Sequence, residues 1–309
     1  MAKLKRFSGT PVSEGVRLEV GKYTVFAVRN EEKDISVRIR REPRTVLRTL
    51  MRIPLLRGIV RVLRDIYRFF DGIAESAELN PQKANQGGNF ARKTAKFLHV
   101  HPQSLCAFFS FCMLPVLAFL MLYAAPKGAE ALLFDMTDLT RPWTNAIVCA
   151  FRIMSLLMCI LIAGRLPVIK RMLMYKAAIN KVTNCYESRD EISVENAMKY
   201  PKWSRRSEPA FLICVTVCAM VLFAFLKIDN IFLAALARIL VFFGVAAVLN
   251  EPFASLESAE LNIATRILRA PMDLFQHMTT VAPNAQIVEV AVSAFEAALG
   301  EDGEEVNDN

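Results

Sequence analysis

The run Pro209-Ala-Phe-Leu-Ile-Cys-Val-Thr-Val-Cys-Ala-Met-Val-Leu-Phe-Ala-Phe-Leu226 decides the fold class together with the run that follows it, Asn230-Ile-Phe-Leu-Ala-Ala-Leu-Ala-Arg-Ile-Leu-Val-Phe-Phe-Gly-Val-Ala-Ala-Val-Leu-Asn250. A helix rises about 1.5 Å per residue, so about 20 apolar residues cross a bilayer core. The core helices of a soluble protein carry a polar stripe, and these runs carry almost none. Only Lys227-Ile-Asp229 separates them, so they read as a tight helical hairpin. Working outward, Ser104–Ala125 and Thr144–Ala163 have the same character. The expected fold is a mainly α membrane protein with four transmembrane helices, at about 104–125, 144–163, 209–226 and 230–250, within a membrane region 104–250. With 54% apolar residues, 12 Gly and 14 Pro, the 309-residue chain is neither disordered nor collagen-like. Six of its seven Cys (Cys106, Cys112, Cys149, Cys159, Cys214, Cys218) lie in these apolar runs and read as small buried hydrophobes, with no disulfide pattern.

Basic residues near span ends stay on the cytoplasmic side. Residues 1–104 hold 21 of the 38 Lys and Arg, the loop 165–208 holds 10, and the stretch 126–143 only Lys127 and Arg141. The expected arrangement is multi-pass, with both termini and the loop 165–208 cytoplasmic. The net charge of +8 hides an asymmetry, because residues 251–309 hold 11 acidic residues against two basic ones. The first 20 residues have no cleavable-signal pattern.

Outside the spans, residues 1–44 form a small β-rich region. Val16–Val20, Tyr23–Val28 and Ile35–Ile39 alternate and are parted by turn residues, which predicts an antiparallel sheet. Residues 45–79 predict basic amphipathic helices. Leu55, Leu56, Ile59, Val60, Leu63, Ile66, Tyr67 and Phe70 recur at helical spacing, and Arg44, Arg48, Arg52, Arg57, Arg61, Arg64 and Arg68 form a stripe against them. Such a helix can lie in the membrane surface, its guanidinium groups on anionic lipid. The other reading is a solvated helix packed on the sheet. Nucleic acid is not an expected partner. Residues 80–103 are a linker, opened by Asn80-Pro-Gln-Lys-Ala-Asn-Gln-Gly-Gly-Asn89; residues 251–299 predict a cytoplasmic helical region, and 300–309 an acidic disordered tail.

Arg152 and Arg238 sit near the middle of the second and fourth spans. A cation there costs about 2.5–3.5 kcal/mol on insertion scales, so each needs a partner, a water-filled cavity or a headgroup in reach.

Several motifs in one order resemble the YqhQ family of bacterial membrane proteins, a domain of unknown function labelled "predicted metal-dependent enzyme". They are Ser13-Glu14-Gly15-Val16, Ile53-Pro-Leu-Leu-Arg-Gly58, Ala74-Glu-Ser-Ala-Glu78, Leu166-Pro-Val-Ile-Lys-Arg171, Asn184-Cys185-Tyr186-Glu187, and Ile192-Ser-Val-Glu195-Asn196. They continue with Arg238-Ile-Leu240, Glu251, Gln276 with Thr279-Thr280, and Glu289-Val-Ala291. The resemblance implies a metal site built from a His-Gly-Ala-Glu-His run and a His-x-Arg-Cys-Gly run. Here the first reads Lys176-Ala-Ala-Ile179-Asn180 and the second Ser204-Arg-Arg-Ser207-Glu208, so each implied ligand is replaced.

His99, His101 and His277 are the only histidines: His99 and His101, two apart beside the first span, read as interface residues rather than metal ligands, and His277 has no Cys or His neighbour. No nucleotide-binding or nucleophile-elbow motif is present. No cofactor is predicted, although a divalent metal on carboxylates such as Glu187 and Glu251 stays open. The expected function is a non-catalytic structural or regulatory subunit of a membrane complex with a degenerate metal site, partnered by copies of itself or an intact paralogue. The alternatives are a metal-dependent membrane enzyme with a rearranged carboxylate site and an anion-conducting channel or transporter.

Overall fold

A computed structural model of the chain describes residues 7–30, 34–41, 53–79, 128, 141–165, 167–204, 208–226, 228, 230–258 and 263–307. Four strands form one antiparallel meander in chain order: β1 (Phe7–Val12), β2 (Gly15–Val20), β3 (Tyr23–Arg29) and β4 (Ile35–Arg41). Three of them match the β-rich runs. The addition is β1, which carries Pro11 and holds an edge, where a missing N–H is tolerated. The β1–β2 turn explains Glu14-Gly15: Glu14 adopts a left-handed φ of 57°, and a Cβ on Gly15 would sit 2.2 Å from the Ala27 carbonyl oxygen.

The helices are α1 (Leu56–Leu79), α2 (Arg141–Ala163), α3 (Pro167–Glu187), α4 (Val194–Lys199), α5 (Glu208–Phe223), α6 (Ile231–Ser258), α7 (Ile263–Thr279) and α8 (Ala285–Asn307). Strand periodicity gives the sheet two different faces. Val16, Leu18 and Val20 of β2, opposite Ala27 and Val25 of β3, pack on Tyr175, Ile179 and Val182 of α3 and on Val288, Ala291 and Phe295 of α8. The other face carries Arg17, Glu19 and Phe26 and meets α1, with Gly72 against Val12. Each large apolar side chain buried in the first face contributes about 1.5–3 kcal/mol. The sheet therefore packs on both sides, and its larger core comes from sequence far downstream.

A second core joins Val62 of α1 to Phe211 and Val215 of α5, Val245, Ala246 and Phe253 of α6, and Met272 and Phe275 of α7. Two helices are long and apolar enough to cross a membrane, over Ala146–Ala163 and Phe232–Leu256. Only 6% and 22% of those windows is buried, which sets them apart from soluble core helices and fits association with a membrane. The span at about 209–226 corresponds to α5, whose 16 residues fall short of spanning length, and the span at about 104–125 lies outside the described residues. Four transmembrane helices are thus not established.

Helix α8 runs on to Asn307. One further expectation is corrected. Cys218 is exposed, because α5 has an outward apolar face as well as a packed one, while Cys214 is buried. Cys106, Cys112, His99, His101, Arg44, Arg48, Arg52 and the linker at 80–103 lie outside the described residues.

Candidate functional site

The four described arginines of the stripe, Arg57, Arg61, Arg64 and Arg68, are each engaged by other parts of the protein. Arg64 Nη2 lies 2.5 Å from Glu19 Oε2 and Arg68 Nε donates to Glu19 Oε1 at 2.8 Å. Arg57 binds Glu251 of α6 through Nε at 2.6 Å and through Nη2. Arg61 lies over the Phe211 ring, 4.6 Å from its centroid, and donates to Asn250 Oδ1 at 3.3 Å. Further along α1 the charges reverse: Asp71 receives Arg40 at 2.8 and 2.9 Å and pairs with Arg17 at 3.2 Å, while Glu75 receives Arg38 at 2.6 Å. Helix and sheet face each other with complementary charge, so the stripe is satisfied inside the protein. Burial by itself raises the Glu19 carboxyl, but Arg68, Arg17 and Arg64 outweigh it and hold it at about 2.

This inward stripe forms one wall of a cavity of about 540 Å³. The opposite wall is α3, where Lys176, Ile179, Asn180, Thr183 and Glu187 recur on one helical face. Ser8 and Gly9 of β1, Ser204, and Glu208 at the start of α5 complete it. The described positions of the two runs where the resemblance implies a ligand, Lys176, Ile179, Asn180 and Ser204, therefore line one hollow. Ser207 lies outside the described residues.

At its centre, Lys176 is 5% exposed; its Nζ donates to the Gly9 carbonyl at 2.7 Å and pairs with the Glu208 carboxylate. Ser8 Oγ donates to Glu208 Oε1 at 3.4 Å and accepts from Arg68 Nη1 at 3.1 Å. One chain of polar contacts thus runs from Glu19 to Lys176. Gly9 gives it room, since a Cβ there would lie 2.6 Å from Ile179 Cγ2 and 3.2 Å from Leu18 Cδ1, and one of them would have to shift. Beside this chain, Asp65 stands 3.5 Å from Arg68; burial, then the nearby Glu208 charge, pushes its carboxyl up to about 6.

The donor set does not suit a resident divalent metal at the degenerate runs. Ile179 offers no lone pair, Asn180 Nδ2 donates to the Lys202 carbonyl at 2.9 Å, and Ser204 exchanges backbone hydrogen bonds with Gln276 at 2.8 and 3.3 Å. Among the described residues, no three His, Cys, Asp or Glu side chains are grouped to hold an ion. Of the two carboxylates weighed as alternative ligands, Glu187 is exposed at the cavity wall, whereas Glu251 is engaged by Arg57 and by the Leu55 N–H at 3.4 Å.

Most of the remaining motif residues hold backbone in place. Asn184 Nδ2 donates to the carbonyls of Pro201 and Trp203 at 2.9 and 2.8 Å. Cys185 is buried with Sγ 3.5 Å from the Glu191 carbonyl, and Tyr186 stands edge-on to Phe7. Ser193 caps α4 by accepting from Asn196 N, while Asn196 Nδ2 donates to Glu191 O at 3.2 Å and Glu195 pairs with Lys199 at 3.6 Å. Thr279 and Thr280 donate to the carbonyls of Phe275 and Gln276. Glu14 pairs with Arg171 at 2.6 Å. Ile53–Gly58 and Glu251 meet at one joint: Leu55 turns through a left-handed φ of 67°, and Gly58 lies against the α6 backbone at Ala246. Asn184, Glu187, Ser204 and Gln276 also border a second, adjoining hollow of about 840 Å³, which reaches His277, its ring tilted against Trp203. Arg152 and Arg238 are half-buried on α2 and α6, away from both hollows.

A family model described as "Protein of unknown function (DUF1385)" matches residues 53–301, most of the chain. The chain belongs to the DUF1385 family. It is also 25% identical over 301 residues to "Uncharacterized protein YqhQ" of Bacillus subtilis (strain 168), across 95% of this chain and 92% of that relative. No solved structure matches it. The DUF1385 match opens at Ile53, where the α1–α6 joint begins, and takes in both walls of the cavity except its β1 and β2 residues.

The sequence reading missed Gly9, Glu19, Asp65 and Glu208 as site residues. Glu208 carried a signal, since it and Lys176 are the charged residues in the two degenerate runs that turn out to pair. Gly9, Glu19 and Asp65 carried none, because only the fold brings them there.

Proposed function

We propose that this DUF1385 protein is a multi-pass protein of the bacterial cytoplasmic membrane that serves as a non-catalytic structural or regulatory subunit. Its cavity is closed by a tethered cation, the Lys176 ammonium. In this reading the spans at about 104–125 and 209–226 cross with α2 and α6, and the loop 165–208 and both ends are cytoplasmic. Copies of the chain or an intact paralogue are the partners, with Arg152 and Arg238 at the helix contacts.

The observation that supports it is the Lys176–Glu208 pair, completed by the Gly9 carbonyl, at the point where the degenerate runs converge. A buried ammonium with a carboxylate and a carbonyl satisfies the charge a divalent ion would otherwise bring, and it cannot exchange. A buried ion pair of this kind is stable only as a unit, since removing one member strands the other.

Elemental analysis of the full-length protein purified in detergent tests the reading. The expected result is substoichiometric zinc, manganese and iron, and an unfolding temperature unchanged by chelator or by added metal. Stoichiometric metal that is lost on Glu187→Gln or Glu208→Gln would overturn it and favour the rearranged-carboxylate enzyme.

A further inference from the structure

We propose that α1 is seated on the bilayer by its apolar stripe alone, in contact with lipid acyl chains near the headgroups, and without any requirement for anionic lipid. The inference rests on reading α2 and α6 as membrane spans.

Three observations carry it. Turned away from the sheet, Ile59, Leu63, Ile66, Tyr67 and Phe70 repeat at intervals of three and four along one side of α1, and the last four are 41–55% exposed. An apolar face of this extent on a charged amphipathic helix marks a contact surface. Second, the arginines that would dock such a helix electrostatically are directed the other way, onto Glu19, Glu251, Asn250 and the Phe211 ring. A helix whose guanidinium groups bind its own sheet and neighbouring helices keeps few to offer to phosphate.

Third, the joint with α6 sets the level of the stripe. Gly58 rests on Ala246 and Ala247, and Arg57 binds Glu251, all within the final part of the apolar window Phe232–Leu256. The outward side of α1 therefore begins where the apolar surface of α6 ends, as shown by Val248, 61% exposed. Lipid around α6 at that level meets the stripe directly. The sheet lies on the opposite side of α1, so it does not come between the stripe and lipid.

Full-length protein in nanodiscs tests this, one set made of phosphatidylcholine alone and another with phosphatidylglycerol added, each containing a lipid with a photoreactive diazirine on the acyl chain close to the glycerol. After irradiation, labelled peptides are mapped by mass spectrometry, with Phe232–Leu249 of α6 as the gauge of a spanning helix and α4 as the water-facing background. The expected result is labelling of Leu63–Phe70 above the α4 background and at equal yield in both lipid sets. Labelled α6 with α1 at background overturns the inference and leaves the spanning reading standing. α6 at background overturns both. Labelling of α1 only when phosphatidylglycerol is present shows electrostatic docking and overturns the inference.

Discussion

Lys176 illustrates how one side chain can convert a site into a strut. Its ammonium and the Glu208 carboxylate are both largely removed from water, at 5% and 19% exposure, so neither tolerates losing the other. Lys176→Met should cost about 3–5 kcal/mol of stability, measured by chemical unfolding of the detergent-solubilised protein, because the Glu208 charge is left buried and unpaired. Replacing both residues by Met should recover most of that loss. If the single substitution is neutral, the pair is not the strut described. Asp65, in the same cavity, makes a pH-dependent prediction. Its folded pKa of about 6 exceeds its ordinary value of 3.8, so the fold keeps a proton that the unfolded chain has already released. Stability therefore falls as pH rises from about 4 to about 6, by about 3 kcal/mol at 1.36 kcal/mol per unit. Glu19 acts oppositely: held at about 2 against 4.5, it contributes stability above its unfolded value that is lost as pH falls toward 2. Asp65→Asn should match the wild type near pH 4 and exceed it above pH 6 in unfolding temperature. Superimposed curves would sink this assignment.

At the scale of elements, the joint between α1 and α6 is the most demanding contact. A Cβ on Gly58 would meet the Ala246 carbonyl oxygen at 2.3 Å and Ala247 Cα at 2.7 Å, and backbone has nowhere to move. A Cβ on Gly72 would meet only the Val12 Cγ1 methyl at 2.6 Å, which a rotamer change can relieve. Gly58→Ala should therefore speed amide hydrogen exchange through the first turns of α1 and lower stability by about 1–3 kcal/mol, and Gly72→Ala by less. Equal effects would show that the joint is not close-packed. The same elements show what sequence could reveal. β2 and β3 were legible because Val16, Leu18, Val20 and Val25 alternate around the Gly21-Lys22 turn. Phe7–Val12 was not, since Ser8, Gly9 and Pro11 have poor strand propensity, and Ser8 and Gly9 are held by contacts with Arg68 and Lys176. The arginine stripe of α1 was plain from its spacing. Its direction was not, because periodicity reports that a face is charged and says nothing of Glu19, far off in sequence, which neutralises it. The cavity was legible only as two degenerate runs, and their convergence required α3 and α5 to be placed in space.

At the scale of the whole molecule, the first core constrains how the chain can thread a membrane. Val16 and Leu18 of β2, Ile179 and Val182 of α3, and Val288 and Phe295 of α8 share that core, so all three segments lie on one side. The chain must then cross an even number of times between β4 and α3, and again between α3 and α8. Between α3 and α8, α5 and α6 supply an even pair if the 16-residue α5 crosses with its short extension to Leu226. Between β4 and α3, α2 alone would be odd, so if α2 crosses, parity asks for a second crossing in that interval, and Ser104–Ala125 is the apolar run long enough to supply it. This arrangement predicts that a cysteine placed at residue 130, in a variant cleared of its native cysteines, reacts with a membrane-impermeant maleimide in intact cells. Cysteines at 190 and 284 should react only after the membrane is opened, and basic residues concentrated at 1–104 and 165–208 favour that orientation. Labelling of 130 and 190 from the same side would mean that α2 does not cross. Labelling of 190 and 284 from opposite sides would mean that the shared core of α3 and α8 does not form, and with it the cavity that depends on both faces of the sheet.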